Sequence, residues 1–193
     1  MTREQWAFIV SLVAMLVIAS SYFFKKKEIY LICQGTGIVF LTLSYLLQKE
    51  YFAMIGLVIG LIRVVVYFLY ERKDKVAPIF WAFLFSGLGI ACYFIINLWI
   101  LGTAKPLDII YLVGLIGYAF IFRIRNLVLL RYLVTIPTVL SILYNVLIRA
   151  VPFVIISYAF ELGANLVAIG KYHLFDKKKE LAEKPKEKED AEG

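Results

Sequence analysis

The 193-residue chain holds two cysteines, Cys33 and Cys92, and one histidine, His173. Both cysteines fall inside apolar runs, which argues against a disulfide framework or a zinc site; His173 follows the last run and reads as an interfacial residue. H-E-x-x-H, G-x-S-x-G and phosphate-cradling glycine patterns are missing. Within the apolar runs Glu161 is the one glutamate, and a lone carboxylate lacks the second group that acid–base chemistry would use. Neither catalysis nor a cofactor nor a resident metal is expected. Proline is scarce as well, with five in the chain, and Pro137 alone lies deep in an apolar run.

What the chain has in quantity is apolar surface. It is 62% hydrophobic and 16% aromatic, with a mean hydropathy of +0.83. Soluble domains average about 45–50% apolar, so the composition is that of an integral membrane protein. The net charge of +7 would suit nucleic acid, but the lysines and arginines lie in short loops between apolar runs. Membrane topology accounts for them better, and no nucleic-acid partner is expected.

Seven apolar runs follow one another: Trp6–Phe24, Ile29–Leu47, Phe52–Tyr70, Ile79–Ile100, Leu107–Phe122, Leu127–Leu147 and Val151–Ile169. Each is long enough, or nearly so, to cross a bilayer as a helix, the fifth being the shortest. The first has Arg3 and Glu4 before it and Lys25–Lys27 directly after it, the pattern of a retained span rather than a cleaved leader. Basic residues divide unevenly between the two sets of loops. Arg3, Lys49, Lys105 and Arg149 fall on one side; Lys25, Lys26, Lys27, Arg72, Lys73, Lys75, Arg123, Arg125, Lys171 and Lys177–Lys179 fall on the other. The positive-inside rule then puts the amino terminus outside and the carboxyl terminus in the cytoplasm. From Asp176 onward the chain is mostly charged and nearly without apolar residues, so it reads as a disordered cytoplasmic tail.

Runs one to three and five to seven share a layout. A basic turn follows the first helix of each triplet, Lys25–Lys27 or Arg123 and Arg125. The second helix carries a polar residue one turn in, Gln34 or Arg131, and a tyrosine near its far end, Tyr45 or Tyr144. The third helix bears a charge at mid-depth, Arg63 or Glu161. One helix separates the triplets, so both copies point the same way, as in a parallel 3+1+3 repeat. The expected divisions are residues 1–75 and 105–175 for the two three-helix bundles, 76–104 for the linker helix and 176–193 for the tail.

Helical spacing collects the polar residues on faces. Arg131, Thr135, Thr138 and Asn145 share one, Ser157, Glu161 and Asn165 another, and Gln34, Thr42 and Tyr45 a third. Gly56, Gly60, Arg63 and Tyr67 make the fourth. Such stripes suit a wet interior, yet polar side chains also hydrogen-bond helices together in bilayers, and Gly56-x-x-x-Gly60 is a pattern for close helix packing. Arg63 stands near the middle of a 19-residue run. That run spans roughly 28 Å, and a central arginine costs about 2.5–3.5 kcal/mol on insertion scales, so Arg63 should face protein or water. Glu161 lies at similar depth in the equivalent helix, and an Arg63–Glu161 ion pair across the central axis is expected. Pro137 should kink its helix and offers a hinge.

Gln34 followed by Tyr45 and then Arg63, and Arg131 followed by Asn145 in LRYLVTIPTVLSILYN with Asn165 beyond, resemble the two halves of YgjV-type bacterial inner membrane proteins. The likeness covers most of Ile29 to Tyr172. That family looks related to the SWEET, PQ-loop and PnuC-like membrane proteins, which implies two three-helix bundles joined by a linker helix. Two departures matter. Ser157 stands where the family tends to place a glutamate, with Glu161 one turn later, and the proline–glutamine pair of PQ-loop proteins is absent. A sugar mechanism that relies on several helix-breaking prolines is therefore not implied.

The expectation is an all-α, seven-helix protein of the bacterial inner membrane that passes a small polar solute between its two bundles. Gln34, Tyr45, Arg63, Arg131, Thr135, Thr138, Asn145, Glu161 and Asn165 would line the path, with an anionic solute favoured over a neutral sugar by the two arginines. The bilayer is the expected surrounding, and self-association is left open. The competing expectation is a receptor or scaffold that transports nothing, whose polar stripes only join helices and whose tail recruits a cytoplasmic partner.

Overall fold

Long apolar runs with few glycines or prolines inside them can satisfy their backbone groups in lipid only as helices. The structure, a computed structural model, describes residues 2–48, 51–96, 102, 106–148 and 152–175. Seven α-helices occupy them: α1 (Arg3–Ser21), α2 (Lys27–Gln48), α3 (Tyr51–Arg72), α4 (Ile79–Tyr93), α5 (Asp108–Ile121), α6 (Leu127–Leu147) and α7 (Pro152–Ile169), the last continuing into a π-helical segment at Gly170–Phe175. The charged tail from Asp176, Lys49, Lys105 and Arg149 lie outside the described residues.

Local signals set several ends. Thr2 and Gln5 form a capping box at α1, each side chain accepting from the other's backbone N–H at 3.3 and 2.9 Å. Asn126 caps α6 by accepting from the Val128 and Leu129 amides. Helix α3 stops at Asp74, whose φ of 55° is left-handed. The Lys75 amide reaches back to the Tyr70 carbonyl and the Asp74 amide to that of Glu71. This is a Schellman closure in which an aspartate takes the position usually held by glycine.

Four stretches are long and apolar enough to cross a membrane, Lys27–Gln48, Ile79–Ile96, Leu127–Leu147 and Val154–Tyr172, while Gln5–Ser21 and Asp108–Ile121 are apolar but shorter. Each helix packs on the next in sequence, and α7 returns to α1, which closes a ring. At one end the turns after α1, α3 and α5 meet the end of α7. Lys27 pairs with Glu71 at 2.9 Å, Arg123 Nε donates to the Ala77 carbonyl at 2.6 Å, Arg125 pairs with Asp74, and the Tyr172 hydroxyl donates to the Phe23 carbonyl at 2.9 Å. The largest buried side chains gather in this basic half: Tyr22, Tyr30, Leu31, Val64, Tyr67, Leu130 and Arg131 are almost wholly enclosed. Towards the other end the buried positions are small and sit between adjacent helices, as with Ala7, Ser11, Ala14, Ser44 and Gly114.

Burial repeats along the chain. Ala14, Ala19, Ser21 and Tyr22 are buried, and so are Gly114, Ala119, Ile121 and Phe122; Tyr30, Leu31, Gln34, Gly37 and Ile38 are matched by Leu130, Arg131, Val134, Pro137 and Thr138. The offset is 100 in every pair, carried across two helices and the turn between them. At this offset Leu31 falls against Arg131 and Tyr45 against Asn145.

Candidate functional site

Helix α3 turns Val64 and Tyr67 inward and leaves Ile62 and Val65 on the outer surface. Arg63 follows the inward pair. Its guanidinium lies over two aromatic rings at the end of α5, 5.2 Å from the centre of Phe122 and 6.0 Å from that of Tyr118. Cation–π contact of this kind contributes about 0.5–2 kcal/mol, so it offsets part of the cost of an arginine at that depth. Contact with the rings does not use up the five N–H donors of the guanidinium. None of these donors reaches an acceptor among the described residues, and Nε is fully buried in that condition.

Glu161 on α7 accepts a hydrogen bond from the Tyr22 hydroxyl at 2.6 Å. It makes no ion pair with Arg63 among the described residues, so the expected pair does not form. The reason is geometric: α7 packs on α1 and presents Glu161 to Tyr22, while Arg63 is drawn across to the rings of α5. Gly56 and Gly60 also differ from expectation. A Cβ built on Gly56, which is exposed, meets nothing within 4 Å, and one on the buried Gly60 meets only Arg63 Nη2 at 3.9 Å, so neither glycine seats a neighbouring helix among the described residues. Close approach occurs instead at Gly37, where a Cβ would stand 2.3 Å from Ile18 Cγ1 and 3.2 Å from the Ala14 carbonyl.

The other expected path residues are placed as follows. Gln34 donates to Ser21 Oγ at 3.0 Å, joining α2 to α1. Arg131 is 1% exposed; its Nη2 donates to the Phe24 carbonyl at 2.6 Å and its guanidinium lies 5.3 Å from the centre of the Tyr172 ring. Asn165 Nδ2 donates to the Arg131 carbonyl at 2.8 Å and to Thr135 Oγ1 at 3.1 Å, which ties α7 to α6. Thr135 and Thr138 bond carbonyls one turn back, and the Thr138 hydroxyl also meets that of Tyr118 at 3.0 Å. Asn145 Nδ2 donates to the Ser141 carbonyl of its own helix at 2.7 Å. Tyr45 lies within electrostatic reach of Tyr111 and Tyr158. Pro137 leaves α6 one continuous helix and packs against α5, where Cβ atoms on Gly114 and Gly117 would fall 3.6 Å from it.

Tyrosines supply much of the interior, and of those described next only Tyr67 belonged to a polar stripe. Tyr22 and Tyr30 meet edge-on with ring centres 5.5 Å apart, and Tyr30 stacks on Phe122 at 6.0 Å. The Tyr30 hydroxyl is buried beside that of Tyr22 and meets no partner in bonding geometry among the described residues. The Tyr67 hydroxyl donates to the Ala119 carbonyl at 2.6 Å and joins α3 to α5. Near the other end Asp108, 6% exposed, accepts from Tyr93 and, at 2.8 Å, from Tyr144. A signal was present in the sequence: thirteen tyrosines are more than two interfacial girdles require, and several fall within the runs.

No curated protein and no solved structure matches the chain. Residues 5–175 match the family model Imp-YgjV, bacterial inner membrane protein, and the chain belongs to that family.

Proposed function

We propose that the protein passes a small polar solute across the inner membrane, between two three-helix bundles related as a parallel 3+1+3 repeat. The observation that carries this reading is Arg63. It is a cation inside the helix ring, directed away from lipid, whose in-plane donors have no acceptor among the described residues. An arginine kept only for structure would be expected to satisfy those donors, since unsatisfied buried donors cost about 1–3 kcal/mol. The recurrence of buried positions at an offset of 100 supports the repeat. The parallel with SWEET, PQ-loop and PnuC-like proteins is part of this proposal.

Arg63, Glu161 and the tyrosines around them form the solute site, with Tyr45, Tyr111 and Tyr158 on the approach to it. Large side chains and the contacts of Lys27, Arg123 and Arg125 close the basic end. With the amino terminus outside and that end cytoplasmic, the conformation is closed to the cytoplasm. Rocking of one bundle against the other, with Pro137 as a hinge, would open it.

The scaffold reading has one observation in its favour: Gln34, Arg131, Thr135, Thr138, Asn145 and Asn165 all bond within or between helices. Uptake of a metabolite mixture by proteoliposomes, with Arg63→Gln as comparison, separates the two. Transport predicts flux of at least one solute that the variant loses. Flux equal to that of empty vesicles for every solute favours the scaffold.

A further inference from the structure

Resting on the reading that the interior admits a solute, we infer that Arg63 recognises the carboxylate of a small organic acid. Two guanidinium groups enter the interior, and one is already engaged: Arg131 is enclosed, bonded to the Phe24 carbonyl and stacked by Tyr172. The Arg63 guanidinium lies over the Phe122 and Tyr118 rings, and its N–H groups meet no acceptor among the described residues. A planar pair of oxygens matches a guanidinium edge by two parallel hydrogen bonds, the geometry in which guanidinium binds carboxylate.

Charge points the same way. Glu161 is held by Tyr22 and does not neutralise Arg63, so the ligand supplies the opposite charge. The surroundings select among anions. The rings of Phe122 and Tyr118 lie against Arg63, those of Tyr30 and Tyr67 are enclosed nearby, and the hydroxyls of Tyr67 and Tyr118 are engaged with the Ala119 carbonyl and Thr138. An anion with an apolar body fits this enclosure. Inorganic phosphate, which needs donors on all sides to replace its water, does not.

The test is binding, kept apart from transport. The full chain in lipid nanodiscs is titrated with benzoate, benzamide and inorganic phosphate by calorimetry. Benzoate should bind at least about 10-fold more tightly than benzamide or phosphate, and Arg63→Gln should weaken benzoate by about 10- to 100-fold. Arg63→Lys, which keeps the charge and removes the fork, should fall between. Because a substitution could disturb folding, the unaltered protein is also treated with phenylglyoxal and its arginines mapped by mass spectrometry. Benzoate should slow modification of Arg63 several-fold and benzamide should not. Equal binding of benzamide, preference for phosphate, no benzoate binding, or benzoate affinity unchanged in Arg63→Gln would each overturn the inference. Carboxylate binding without flux in proteoliposomes would overturn transport and leave this inference standing. Flux of a neutral or cationic solute without carboxylate binding would do the reverse.

Discussion

Arg63 and Arg131 are both carried into an apolar helix ring, and the protein treats them in opposite ways. Arg131 comes from the first turns of α6, 1% exposed, and its guanidinium closes the turn after α1 by holding the Phe24 carbonyl. The backbone carbonyl of the same residue is held by Asn165 from α7. Three segments thus converge on one residue, and its charge serves packing. Arg63, halfway along α3, lies over two rings, and its donors meet no acceptor among the described residues. Burial of a charge is therefore no guide to its role; what its hydrogen-bonding edge meets is. A buried polar group bonded to the backbone holds a fold together, as Arg131 Nη2 does at the Phe24 carbonyl, whereas Arg63 makes no such contact among the described residues.

Breaking the comparison at Arg131 should have the largest effect. Arg131→Ala removes the donor to Phe24 and opens a cavity among buried groups, at a cost of about 3–5 kcal/mol. Arg63→Met removes a cation with no hydrogen bond to lose, so it should shift stability by less than about 1 kcal/mol, in either direction. Thermal unfolding of both variants in one detergent reads the contrast, and equal losses would erase it. Next, Tyr22→Phe deprives Glu161 of its donor and should cost about 1.5–3 kcal/mol, the range for a hydrogen bond to a charged group. A melting point unchanged from the parent would mean that Glu161 has another partner.

Glycine substitutions sharpen the same contrast on the packing side. Gly37→Ala forces a methyl against Ile18 and the Ala14 carbonyl and should cost about 1–3 kcal/mol, while Gly60→Ala meets only Arg63 Nη2 at 3.9 Å and should cost well under 1 kcal/mol. Equal penalties at the two sites would show that Gly60 is packed. The smallest effect belongs to the basic end. Asp74 is 88% exposed in its pair with Arg125, so Asp74→Asn should change unfolding by no more than about 0.5 kcal/mol. A large loss there would mean that the end is latched by this pair and not by the enclosed Lys27–Glu71 contact.

The run Leu127–Leu147 is helical over the same residues that hydropathy marks out, and the other boundaries shift by a few residues at most where they are described. Such agreement is expected where lipid leaves the backbone no alternative. Side-chain partners were less legible. The polar stripes were visible as faces, yet a face does not say which neighbour it meets, so Gln34 and Asn165 could be named but not their partners Ser21 and the Arg131 carbonyl. Glycines at four-residue spacing on α3 resembled a packing seam, yet among the described residues a Cβ on either would meet no other helix.

By itself the sequence determined a helical membrane protein, the number of its described α-helices and a basic set of turns, because length, apolar content and charge act locally. Only the tertiary structure decided that Glu161 answers Tyr22 rather than Arg63, and that Arg131 is held by the Phe24 carbonyl while Arg63 meets no acceptor among the described residues. Those outcomes depend on how helices distant in sequence rotate against one another, and a rotation of a fraction of a turn exchanges one partner for another without altering any local pattern.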